Sequence, residues 1–170
     1  MKKALSCIIL LALLTTLLCS CIDLEDTQNQ GSTGKPDNEI ESATPNNSSD
    51  NDLGKYEVVI ESCRLANDYT GAPIVIVKYK FTNNDDDPAC FSWTFDDAVF
   101  QGGVGLNECY LADDTAEYST DNQTKEIKKG ASLTVEVAYK LNDTETDIDV
   151  EVSELISLNN KTVTKKFSIK

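Results

Sequence analysis

Histidine is absent from all 170 residues. Its absence removes the Ser-His-Asp and Cys-His nucleophile pairs and any histidine-ligated zinc. No glycine-rich loop of the kind that cradles phosphates and no dinucleotide fingerprint occurs. The one Ser-x-x-Lys match, Ser32 to Lys35, falls in a polar stretch that offers no pocket to activate a serine. Positive charge is also scarce, with 15 Lys+Arg against 29 Asp+Glu. Such a surface repels nucleic acid and anionic head groups. No stretch has the roughly 20 apolar residues of a membrane span; the longest, Ala4 to Leu18, is almost entirely apolar but only 15 residues long.

That run is informative in another way. It follows the basic head Met1-Lys2-Lys3, and a basic head before a short apolar core is the pattern of an export signal. It ends in Leu18-Cys19-Ser20-Cys21, which resembles the bacterial lipobox, with Leu at −3, Ser at −1 and Cys at +1. Cys19 fails in the same frame, because Thr16 and Leu18 would occupy its −3 and −1 positions. Cys21 is therefore the expected lipid attachment point, and 1–20 the signal peptide. A diacylglyceryl thioether brings at least two chains, enough for stable anchoring where one acyl chain holds only reversibly. The expected location is the bacterial cell membrane, lipid-anchored on the extracytoplasmic side.

Residues 21–54 read as the lipidated N-terminus and a disordered tether. Ile22 to Gly54 contains only five aliphatic residues among Asn, Asp, Ser, Thr, Gln and Glu. Such a composition cannot bury enough apolar surface to offset ordering entropy.

Residues 55–170 have the size of one domain and the punctuation of an all-β fold. In "ASLTVEVAYKL" the residues Leu133, Val135, Val137, Tyr139 and Leu141 share a face. "PIVIVKYKF" and "DIDVEVSEL" alternate in the same way, as half-buried strands require. "CFSWTFDD" reads as a strand with Phe91, Trp93 and Phe95 directed into the core. Tyr56–Leu65, Leu106–Leu111 and Val163–Ile169 complete the set, with a short strand possible at Thr124–Ile127. Seven or eight short strands joined by turn-rich connections predict a two-layer antiparallel sandwich.

These residues carry a resemblance. "DYTGAPIVIVKYKFTNNDDDPACFSW", "VFQGGVGL", "IKKGASLTVEVAYKL" and "VEVSEL" are similar to an immunoglobulin-like domain of unknown function found in lipoproteins of Gram-positive bacteria. Its most specific pieces are Thr82-Asn83-Asn84 and the Gln101-Gly102-Gly103 turn leading to Leu106. In the family pattern an Asn follows that Gln and a Glu precedes that Leu, whereas Gly102 and Gly105 stand in those places here. The resemblance implies an immunoglobulin-like sandwich and a lipoprotein context, and no activity.

The expected function is a membrane-anchored, non-catalytic binding module, with an extracellular protein or a cell-wall ligand as partner. The alternative is a carboxylate-based hydrolase of wall or surface polymers, which needs two carboxyl groups about 5–10 Å apart. No cofactor and no metal are expected, since the acidic runs match no calcium-loop spacing and read as solvated surface. Removing Lys2 and Lys3 from the 15 Lys+Arg leaves 13 against 29 Asp+Glu, a formal −16 from Cys21 onward. Asn67, Asp68 and Tyr69 are the loop contact candidates, an aromatic flanked by polar residues on a turn.

Three cysteines remain in the domain, an odd number for an exported chain. If strands alternate in direction, Cys63 and Cys109 lie at one end of the sandwich and Cys90 at the other. Disulfides need Cα atoms within about 7 Å, so Cys63–Cys109 is the expected pair and Cys90 a free or core thiol. The spacing from Val58 and Ile60 turns Cys63 to the other face, unless a bulge re-aims it or Val59 and Leu65 mark the true inner face.

Overall fold

The computed structural model describes residues 39–40, 51–111 and 118–170. The signal segment and Cys21 lie outside the described residues. The described residues form eight strands: β1 (Glu39–Ile40), β2 (Tyr56–Asn67), β3 (Pro73–Asn83), β4 (Phe95–Gln101), β5 (Val104–Gly105), β6 (Ser132–Lys140), β7 (Ile148–Glu154) and β8 (Thr162–Phe167). One helical turn, α1 (Phe91–Thr94), precedes β4. The sheets have the orders β1-β2-β3-β6 and β5-β4-β7-β8, every pairing antiparallel. With β1 set aside as a two-residue addition, this is the A-B-E and C′-C-F-G arrangement of an immunoglobulin-like sandwich.

Period two explains the core. Val75, Val77, Tyr79 and Phe81 of β3 and Val135, Val137 and Tyr139 of β6 face Phe95 and Val99 of β4 and Ile148, Val150 and Val152 of β7 across one cluster. Aromatic rings concentrate toward one end, where Phe81 and Phe95 meet edge-on at 5.1 Å and Tyr56 packs on both.

The strand directions define two ends. One, called here the turn end, carries the β2–β3 turn at 68–72, the β4–β5 turn and the β6–β7 connection at 141–147. The other, the loop end, carries the chain's entry at 51–55, the segment 84–94 and the β7–β8 loop at 155–161.

Four expectations are corrected. Phe91, Trp93 and Phe95 do not share a strand face: Phe91 and Phe95 are buried, but Trp93 is 73% exposed, because the α1 turn rotates it outward. Leu106–Leu111 forms no strand. It crosses from Val99, whose carbonyl accepts from Leu106 N–H, to Ala138, whose carbonyl accepts from Cys109 N–H. It thereby closes the gap between the two sheets and covers part of the β6 edge. Thr124–Ile127 contributes only an isolated bridge, Ile127 to Ala89. The tether does not extend to Gly54: Leu53 is fully buried in the core cluster, and Asn51 accepts a hydrogen bond from Val58 N–H.

The expected Cys63–Cys109 disulfide is also overturned; all three cysteines are free and buried. A bulge between Ile60 and Ser62 does re-aim β2, so that Val58, Ile60 and Cys63 all join the core. Cys109 instead packs with Ile74, Ile76 and Ala138, the residues that alternate with the core face. The two thiols lie on opposite faces of the β2-β3-β6 sheet.

Candidate functional site

Three places concentrate chemistry. The first is inside. On β4 the inward positions are Phe95, Asp97, Val99 and Gln101, so a carboxylate is carried into the sandwich between two apolar residues. Tyr139 donates a hydrogen bond to Asp97 Oδ2, and the Tyr79 and Tyr139 hydroxyls lie 3.2 Å apart. The chain of three groups links the two sheets. Burial pushes the Asp97 carboxyl up to about 6; the Tyr139 bond opposes this, and Glu108 and Asp96 add to it. Burial likewise holds both tyrosines well above the ordinary phenol range. This arrangement can take up and release a proton near neutrality. Its groups are directed at one another inside the core, which makes it a structural bond with a pH-dependent strength.

The second place is the turn end. Gly102 and Gly103, both at positive φ, make the tight turn after β4 that two-residue hairpins require. Beside them an open polar depression of about 520 Å³ is lined by Glu145, Thr146, Asp147, Asp149, Lys166 and Lys170, among others. Its rim is organised by Asp143, which accepts from the backbone N–H groups of Glu145 and Thr146 and from the Thr146 hydroxyl. Those bonds hold its carboxyl below the usual range. No group of three potential metal ligands is assembled among the described residues.

The loop contact candidates also lie at this end. Asp68 accepts from Thr70 N–H, the Thr70 hydroxyl and Ala72 N–H, so its carboxylate builds the turn. Asn67 ends β2 and is exposed, and Tyr69 stands 80% exposed on the turn. The three are together in space, with Tyr69 the one whose side chain is presented to solvent.

The third place is the loop end, where Trp93, Leu155, Ile156 and Leu158 are exposed. Leu155 N–H donates to the Thr94 carbonyl, which sets the β7–β8 loop against the residue that follows Trp93. Sequence reasoning missed this cluster, because it placed Trp93 in the core and assigned no role to the loop. It also missed Asp97, for which parity with Phe95 and Val99 was an available signal.

Each end is closed by one buried amide. Asn83 donates to the Asp87 and Ile127 carbonyls and accepts from Asp85 N–H. Gln101 donates to the Asp143 and Thr146 carbonyls and accepts from Asn142 and Asp143 N–H. Residues 32–154 match the family model described as Domain of unknown function (DUF5067). The chain belongs to this family. Asn83 and Gln101 fall in the two stretches on which the resemblance most depends, and both serve as buried hydrogen-bonding clamps.

Among solved structures, the fold is similar to a "putative lipoprotein" from Staphylococcus aureus at 22% identity, with a TM-score of 0.54 over 68% of this chain and 84% of that one. A Bacillus subtilis protein of the same description aligns at 17% identity and a TM-score of 0.51, over 79% of this chain. This chain spans 39% of that protein's length. No curated protein matches the chain.

Proposed function

We propose that the protein is an extracytoplasmic lipoprotein, held on the membrane through Cys21, whose sandwich works as a non-catalytic binding module. The observation that carries this reading is the Leu18-Cys19-Ser20-Cys21 frame at the end of the 15-residue apolar run. The lipoprotein descriptions of the two structural neighbours agree with it. The non-catalytic part is supported by the interior: the strongly perturbed carboxyl, Asp97, is engaged with Tyr139 rather than aimed at a cleft.

The test is residue-specific. In a Gram-positive host, Cys21→Ala should leave the membrane fraction or accumulate as unprocessed precursor, whereas Cys19→Ala should fractionate like the wild type. A fully processed, membrane-bound Cys21→Ala chain would refute the anchor. Release of soluble fragments from purified wall polymer by the wild-type chain would refute the non-catalytic assignment.

A further inference from the structure

The β7–β8 loop spends its polar groups in an unusual direction. Ser157 Oγ accepts from Asn159 and Asn160 N–H and donates to Asn159 Oδ1, which also accepts from Lys161 N–H. Asn159 Nδ2 reaches the Leu53 carbonyl, and Lys161 pairs with Asp52 at 3.0 Å. The loop is thus braced against the chain where it enters the sandwich. Yet the braced conformation leaves Leu155 57%, Ile156 85% and Leu158 fully exposed, beside a Trp93 that is 73% exposed. Scattered exposed apolar residues need no explanation, but a braced group of four large ones marks a contact surface.

Chain length permits a bilayer as the occupant, and the character of the loop selects it. Leu155 to Asn160 contains no charged residue, in a chain of formal charge −14. Nearby, Lys55 and Lys129 are ion-paired with Asp85 and Asp86. The turn end, by contrast, is covered by charged groups of both signs, Asp68, Asp143, Glu145, Asp147 and Asp149 with Lys166 and Lys170 among them, Lys166 lying 3.7 Å from Asp149. From Cys21 to Glu39 the chain can reach at most about 60 Å, beyond the roughly 40 Å length of β2, so either end of the sandwich is within reach of a bilayer. A surface crowded with charged side chains stays in water, while a tip whose outermost loop is uncharged and apolar, with a tryptophan beside it, suits the interfacial zone. Anchoring also supplies an effective concentration in the millimolar range, so even weak insertion is populated.

We infer that Trp93, Leu155, Ile156 and Leu158 form a membrane-docking tip that lays the loop end of the sandwich on the bilayer holding the chain. This rests on the anchored reading above. Trp93 is the single tryptophan of the sequence, so its fluorescence reports the tip without labelling.

The experiment uses the full mature lipidated chain in phosphatidylcholine vesicles, with and without acyl-chain bromination of the lipid. Docking places the Trp93 indole at the interface and predicts that brominated lipid lowers its emission relative to unbrominated lipid. The double variant Ile156→Ser, Leu158→Ser, altered only at exposed positions, should lose most of that quenching. Equal emission in both vesicle types, from a chain that sediments with them, overturns the docking and leaves the anchor intact. A wild-type chain that does not sediment refutes the anchor and the docking with it. A blue shift of the vesicle-free Cys21→Ala chain that grows with its concentration overturns docking in favour of a second copy.

Discussion

The two ends of the sandwich are built on the same plan and finished in opposite ways. At each, a buried amide closes the connections, Asn83 at the loop end and Gln101 at the turn end, with donors and acceptors both used. The turn end is then capped by carboxylates: Asp68 and Asp143 each satisfy three donors and shape tight turns. The loop end is instead sealed from below by Leu53 and finished with exposed apolar side chains. Equivalent polar closure is compatible with either outer surface. The amides serve stability, and the surfaces beyond them are left to set what each end meets.

The largest expected effect tests whether the loop end depends on its entering chain. Leu53→Ala should destabilise the protein by about 3 kcal/mol through lost burial and the cavity left behind, read by denaturant unfolding. A chain beginning at Lys55 should lose at least as much. Unchanged unfolding in both would show that the loop end is closed without this segment.

Next come the amides. Gln101→Ala strands two carbonyls and two N–H groups at the turn end, and Asn83→Ala strands the Asp87 carbonyl and the Asp85 N–H at the loop end, where the Ile127 carbonyl keeps its bond from Ala89 N–H. Each should cost about 2–4 kcal/mol, the usual penalty for orphaned buried groups. A large difference between them would break the symmetry of the plan.

Between the ends lies Asp97, whose folded-state pKa of about 6 is raised above the usual carboxylate value of 3.8. The folded state therefore binds this proton more readily than the unfolded state. Stability should rise as pH falls through about 6 and level off below the unfolded value, by up to about 2–3 kcal/mol. Asp97→Asn should flatten that slope in pH-dependent melting. The turn carboxylates run the other way: Asp68 and Asp143 are held low, so their contribution is present above the unfolded value and is lost in more acidic solution.

The smallest effect concerns the thiols. Burial pushes Cys63 up to about 12, so in native conditions its alkylation should be very slow, whereas unfolding should expose all three domain thiols. Mass spectrometry without reductant would show any disulfide and contradict the placement of Cys63 and Cys109 on opposite faces.

Much of the fold was legible because β3, β6 and β7 each carry a run of alternating aliphatic or aromatic residues that face inward. The loop end was less so. Phe91-Trp93-Phe95 matches a strand and a single helical turn equally well, and only the neighbouring connections decide between them. Leu53 is one aliphatic residue at the end of a polar run, and its burial depends on a cavity formed by distant strands. The stretch 106–111 has strand composition, but its partners on two different sheets pull it across rather than along either one. Cys63 turned on a one-residue bulge, and the face of Cys109 on a crossing segment. Neither has a sequence period. Asp97 sits in an Asp-Asp pair that reads as surface, although its parity with Phe95 and Val99 was visible. The turn at Gln101-Gly102-Gly103 was recognised; that Gln101 itself is buried was not, because amides are ordinarily exposed.

The antiparallel course of the strands also decides how the domain bears load. β2 begins at the loop end and β8 finishes at the turn end, beside Ile148 at the start of β7. Tension applied between the start of β2 and the end of β8 therefore runs along the strand axes. β2 and β3 share eleven paired positions and β7 and β8 six, and the ladder bonds stand across the pull. They are strained together in shear instead of opening one after another like a zipper. A domain tied at its N-terminus and dragged through its last strand should resist extension at the rate of its concerted unfolding, which in forced unfolding is the quantity that governs lifetime.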